Sequence, residues 1–224
     1  MHYPARARRG PLRSRTIMPG MSGIDLTRRQ LELIAKLAAL EPTLSFMGGY
    51  AEDALLAGRV TREHEDVDVV FPRDEQELRL AQLAELGFGE WETWGEAAPG
   101  VPFYLFGQNG ELKLDLGVSD EEDGKHWMRV HKLSFTVGDE EAPAGYQLRM
   151  PDDLFDQPLV ELEGIEIKPI SPLALYQMRA GVAARNSFGP LSERQVATMA
   201  QLRDRFFPDR SESELMPPSE PLPY

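Results

Sequence analysis

Between Leu44 and Phe71 the chain changes character three times. A short apolar run, Leu44–Met47, ends at Gly48-Gly49. Tyr50–Ala57 has helical composition and stops at Gly58, a residue suited to the left-handed position that closes a helix. Val67–Phe71 then restores an apolar strand, entered through Asp66-Val67-Asp68. Strand, glycine turn, helix, strand is the local grammar of a sheet covered by helices, and it excludes an all-helical bundle and an all-β sandwich.

The flanking segments extend that pattern. Leu26, Leu33, Leu37 and Leu40 recur at helical spacing, which predicts a helix over Asp25–Leu40 ended by Glu41-Pro42. Glu75–Leu86 predicts a further helix, closed by Gly87. Phe103–Phe106 and Glu111–Val118 flank Asn109-Gly110, a strong hairpin signal. His131–Val137 alternates like a strand. From Ser171 the texture becomes helical, with helices predicted over Pro172–Arg185 and Ser192–Phe207, each opened by a Ser or Pro signal. The expected fold class is therefore α/β (α+β), a mixed sheet flanked by helices with a small C-terminal helical region.

With 224 residues and 42% apolar composition the chain can bury a substantial core. No apolar run approaches the roughly 18 residues a membrane span requires, and cysteine is absent, which removes disulfides, zinc thiolates and thiol nucleophiles from consideration. That composition fits a reducing cytoplasm. Net charge is −13, and the first 17 residues carry five arginines and no acid, leaving −18 on the remainder. Such a body repels nucleic acid and favours cationic partners.

The chemistry concentrates at three places. Along an extended strand alternate residues share a face, so His64, Asp66 and Asp68 are expected on one side and Val67, Val69 and Phe71 on the other. Two carboxylates roughly 7 Å apart on one face suit a hard divalent cation such as Mg²⁺. For a lone Asp-x-Asp a solvated strand entry is the commoner account. In Leu112–Val118 the leucines share one face, and Lys113 and Asp115 project from the other. An aspartate in mid-strand needs a cation, either Lys113 or a metal shared with Asp66 and Asp68. Gly48-Gly49 opens a helix N-terminus, where free N–H groups and the dipole favour phosphate. Together these form an apparatus for two-metal phosphoryl or nucleotidyl transfer.

The stretch Gly48-Gly-Tyr-Ala-Glu-Asp-Ala-Leu-Leu-Ala-Gly-Arg-Val-Thr-Arg-Glu-His-Glu-Asp-Val-Asp68 resembles the signature of aminoglycoside 2''-O-adenylyltransferases and lincosamide nucleotidyltransferases, in the polymerase-β-like nucleotidyltransferase superfamily. The resemblance implies Asp66 and Asp68 as metal ligands and Gly48 and Gly49 as the loop gripping a triphosphate. It implies Asp115 as third carboxylate, either metal ligand or base, and Arg59, Arg62 and His64 as nucleotide-binding groups that neutralise phosphates. The alternative for Arg59 and Arg62 is simple pairing with Asp53 or Glu63. Two Mg²⁺ ions and ATP or another NTP would be the cofactor and co-substrate. Tyr50 stands where the family usually has Trp, and Leu191–Val196 lacks the Lys-Asp-x-x-Asp pattern common in relatives.

The resulting expectation is transfer of AMP from ATP to a hydroxyl of a small, cationic acceptor of the aminoglycoside type, with release of pyrophosphate. Rival readings are a toxin-type nucleotidyltransferase acting on tRNA or protein, a non-catalytic nucleotide-binding module, and an Asp-x-Asp glycosyltransferase. Residues 1–21 are expected to be a disordered basic leader, 22–168 the nucleotidyltransferase domain, 169–208 the helical region and 209–224 a disordered tail. The acidic runs Asp120–Asp123 and Asp139–Glu141 suit solvated loops or a cleft for a cation. Trp91, Trp94, Phe103, Tyr104 and Trp127 suit the core or base stacking.

Overall fold

The computed structural model describes residues 23–130, 132–133, 146–184, 191–216 and 219–221. Helix α1 (Gly23–Ala38) places Leu33, Ile34 and Leu37 in the core, as its leucine spacing requires. Strand β1 (Ser45–Met47) runs directly into α2 (Gly48–Ala57). Gly58 closes α2 in the left-handed conformation, its N–H bonded to the carbonyls of Asp53 and Ala54. Strand β2 (Val67–Pro72) follows, then a single 3-10 turn (Arg73–Glu75) and α3 (Gln76–Glu85).

Strands β3 (Trp91–Ala98), β4 (Val101–Asn109) and β5 (Leu112–Glu122) form an antiparallel meander. Asn109 pairs with Leu112, so the two-residue loop is Gly110-Glu111, one residue later than the Asn109-Gly110 expected, with Gly110 at φ +62°. Strands β6 (Lys125–Val130), β7 (Lys132–Leu133), β8 (Tyr146–Arg149), β9 (Val160–Leu162) and β10 (Ile165–Pro169) complete the body. Of the strand expected over His131–Val137 only Lys132–Leu133 is described. Helix α4 (Pro172–Ala184) and α5 (Glu193–Phe206) follow; Ser192 and Gln195 form a reciprocal capping box at the start of α5. The last elements are α6 (Glu212–Leu215) and β11 (Ser219–Pro221).

The main strand order is β11-β8-β6-β5-β2-β1-β10-β9, with β4 added to β5 and β3 to β4. Two parallel contacts decide the architecture: β2 on β5, and β1 on β10. The sheet is thus mixed and flanked by helices, as expected. The tail departs from expectation, because residues 209–224 contain α6, which buries Leu215, and β11, which pairs with β8. Residues 1–21 lie outside the described residues. Among those described, no helix is long and apolar enough to cross a membrane.

Candidate active site

Register places the key carboxylate pair. Asp68 of β2 lies directly beside Asp115 of β5 in the parallel ladder, and Met47 of β1 flanks Asp68 on its other side. Residues paired across a ladder point to the same face, so Met47, Asp68, Asp115 and Gly117 share one surface. Tyr104 of β4 faces Gly117 and joins them; its hydroxyl donates to Asp68 Oδ1 at 3.3 Å. Gly117 leaves room for Met47, whose Cε would lie 3.0 Å from a Cβ there.

Asp66 sits just before β2 and is half-buried. Strand β2 begins only at Val67, so the extended run expected from His64 is regular only from there, and the charge of Asp66 still acts on both Asp68 and Asp115. Burial lifts the Asp68 carboxyl well above the usual carboxylate range, and the charges of Asp66 and Asp115 add to the rise. Burial, then repulsion from Glu65, raises Asp66. Burial and the charge of Asp66 push Asp115 to about 7. Asp115 is 5% exposed and its Oδ1 has no hydrogen-bond partner. Among the described residues Lys113 forms no ion pair with Asp115, though its charge favours the ionised carboxylate there. No three carboxylate or imidazole groups among the described residues form a ready metal cluster. The donor set still fits a hard cation. Adjacent carboxylates repel, a buried oxygen lacks a partner, and a divalent ion answers both.

The glycine turn is built against this pair. Gly48 adopts φ +63°, and a Cβ there would come within 2.5 Å of Asp68 Cγ. Only glycine fits both the conformation and the contact. A Cβ on Gly49 would meet the His64 ring and lie 2.6 Å from Arg62 Nη2. His64 is buried against Tyr50, ring centroids 4.1 Å apart, and its Nε2 lies 2.8 Å from Asp53 Oδ2. Thr61 donates to the same carboxylate through its N–H at 2.9 Å and its hydroxyl at 2.5 Å. Burial alone would raise Asp53, but the His64 and Thr61 hydrogen bonds outweigh it and hold its carboxyl below the usual range.

Arg62 reaches the turn, with Nη2 3.8 Å from Glu52 and Nη1 donating to the Glu63 carbonyl. Arg59 does not. It is exposed just past Gly58, at the other end of α2 and about 15 Å along the helix axis from Gly48. Of the eight residues expected at the site, the fold therefore gathers Gly48, Gly49, Arg62, His64, Asp66, Asp68 and Asp115, and leaves Arg59 apart.

Four more residues belong to the assembly and carried no telling sequence signal. Tyr104 is one of five aromatics whose sequence context suits the core or base stacking alike. Gln30 of α1, fully buried, accepts from Tyr50 Oη at 2.8 Å and donates to the His64 carbonyl at 3.0 Å. Glu52 of α2 and Arg179 of α4 form an ion pair across 127 positions of sequence. Of the acidic runs, Asp120 pairs with Arg73 and Glu122 with Arg129, while Asp139–Glu141 lies outside the described residues. Among the stacking candidates, Trp91 packs on Phe88 and Trp127 lies under Arg129; the Trp94 side chain is not described.

The family model described as aminoglycoside-2''-adenylyltransferase matches residues 30–188, most of the chain, and spans every one of these elements from Gln30 to Arg179. The chain belongs to the aminoglycoside-2''-adenylyltransferase family. It is accordingly a nucleotidyltransferase with the fold the resemblance implied. It is similar to the solution structure of the antibiotic-resistance factor ANT(2'')-Ia, with a TM-score of 0.57 and 19% identity over 83% of this chain and 87% of that one. It is similar also to the crystal structure of ANT(2'')-Ia in complex with adenylyl-2''-tobramycin, with a TM-score of 0.55 and 19% identity over 84% and 92% of the two chains. At that identity the likeness speaks for the fold. A search of curated protein sequences finds no match.

Proposed function

We propose that this adenylyltransferase moves AMP from Mg²⁺-bound ATP to a hydroxyl of an aminoglycoside-type polycation and releases pyrophosphate. The observation that carries the reading is the in-register pairing of Asp68 with Asp115, one oxygen of the latter buried without a partner, with the Gly48 backbone pressed against Asp68. Asp66, Asp68 and Asp115 would hold Mg²⁺, two ions in the full reading. When bound, the metal supplies Lewis-acid stabilisation of charge on the α-phosphate and leaving group. The chain's own groups do the rest. Gly48 and Gly49 present backbone N–H groups at the N-terminus of α2 to the triphosphate, and Arg62 brings a guanidinium over the same turn.

Asp115 takes the proton of the acceptor hydroxyl. The oxygen bonds to the α-phosphorus as the bond to the bridging oxygen breaks and pyrophosphate departs. Tyr104, donating to Asp68, holds that carboxylate in the face of the sheet. His64 supports the turn through Asp53 and Tyr50 from beneath. The acidic body and the relative solved with adenylyl-2''-tobramycin both favour a cationic acceptor. The test is pyrophosphate release across the four NTPs with panels of aminoglycosides, lincosamides and bulk tRNA. Release with ATP and an aminoglycoside is expected, and release with tRNA alone would overturn the acceptor assignment.

A further inference from the structure

We propose that Arg179, on the C-terminal helix α4, is a polyphosphate-binding residue of this enzyme, and that buried Glu52 is the positioning residue that aims both Arg179 and Arg62 at the glycine turn. The assignment rests on the nucleotidyl-transfer reading and extends it to a helix outside the signature segment.

Glu52 lies in the second turn of α2, on the same side as Gly48 and Gly49, because residues three and four apart share a helix face. Its side chain is 4% exposed. One carboxylate oxygen pairs with Arg179 Nε and the other lies 3.8 Å from Arg62 Nη2. A single carboxylate thus serves two guanidiniums, and both cations sit beside the N-terminus of α2, whose dipole adds to their attraction for an anion. Arg62 is already over Gly49.

A purely structural clamp of α4 onto α2 does not need this arrangement. Burying a carboxylate with two cations is costly compared with packing apolar side chains of similar size, and one partner would suffice to satisfy the charge. Two planar guanidiniums held by one buried carboxylate, with their remaining N–H groups free of it, suit the oxygens of a β,γ-phosphate pair. The 19% exposure of Arg179 leaves it able to reach a ligand from solvent.

The test measures binding of ATP, AMP and inorganic tripolyphosphate, each with Mg²⁺, to the full chain and its variants. Arg179→Gln is expected to weaken ATP and tripolyphosphate about tenfold to a hundredfold, the span of a lost charged hydrogen bond, and to leave AMP within about twofold. Arg179→Lys keeps a charge opposite Glu52 without the fork and should fall between; it carries the test where Arg179→Gln fails to fold. Glu52→Gln is expected to lose most of the preference for ATP over AMP with AMP affinity unchanged, a split that a merely structural defect would not produce. Wild-type preference for ATP and tripolyphosphate in both Arg179 variants overturns the Arg179 assignment alone. Wild-type preference in Glu52→Gln overturns its positioning role. A wild-type chain that binds none of the three ligands overturns the nucleotidyl-transfer reading itself.

Discussion

Replacing Asp115 by Asn separates the two energies stored in the carboxylate face. In the metal-free protein the Asp115 carboxyl ionises near 7, against an ordinary value of 3.8, because burial and the charge of Asp66 oppose ionisation. A group raised in this way destabilises the fold once pH exceeds the unfolded value, and the penalty is complete above the folded one. At pH 8 the difference corresponds to about 4 kcal/mol. Asn keeps the size and removes the charge, but it buries a new amide whose N–H groups need acceptors, so roughly half the gain should survive. Thermal unfolding with a chelator at pH 8 should then show Asp115→Asn melting about 4–8 °C above wild type. Near pH 4 Asp115 is mostly protonated in the fold, so the charge relief shrinks to roughly 0.5 kcal/mol while the amide cost of roughly 2 kcal/mol remains, and Asp115→Asn should melt about 3–6 °C below wild type. Turnover moves the opposite way. Losing the acceptor for the hydroxyl proton should cut kcat by about 10²–10⁴, with nucleotide affinity falling much less. A variant that melts lower at both pH values and keeps its kcat would refute the reasoning, and would leave Asp115 a structural residue.

Asp66→Asn and Asp68→Asn should each abolish turnover, with circular dichroism and chelated melting temperature unchanged or slightly raised; near-normal turnover would show that these carboxylates do not hold the metal. Gly48→Ala should destabilise the protein by about 1–2 kcal/mol for the left-handed backbone alone, and more because the methyl overlaps Asp68, so that both melting temperature and turnover fall. Asp53→Asn should cost about 1–3 kcal/mol at pH 7, measured by urea unfolding, since His64 and Thr61 lose a charged acceptor. Because the Asp53 carboxyl is held below its usual value, its contribution is present above about pH 4 and is lost as pH falls through the lower folded value. Wild type should therefore lose stability in that acid window more steeply than the variant.

What the sequence determined by itself is local. The apolar run, two glycines, a helix closed by Gly58 and an Asp-x-Asp strand are each set by backbone preferences within a few residues, and all four stand where the pattern puts them. Asp68 and Asp115 were legible for the same reason: an aspartate inside an apolar strand conflicts with its surroundings, and the conflict is visible without knowing the partner, whereas Asp66 precedes β2 and was marked by the motif alone.

Tertiary packing decided who the partners are. That Asp115 stands beside Asp68 follows from the parallel register of β2 on β5, which places residues 47 positions apart side by side. Tyr104 enters the site only because β4 is laid against the far edge of β5. Arg59 and Arg62 look alike in the signature, yet one lies past the far end of α2 and the other folds back over Gly49. Glu52 and Arg179 find each other only once α4 docks on α2. The tail is proline-rich and polar, yet α6 buries Leu215 in the core and β11 pairs with the edge of β8. Periodicity records which face of an element is apolar, whereas the identity of the facing element is written only in the summed fit of many distant side chains.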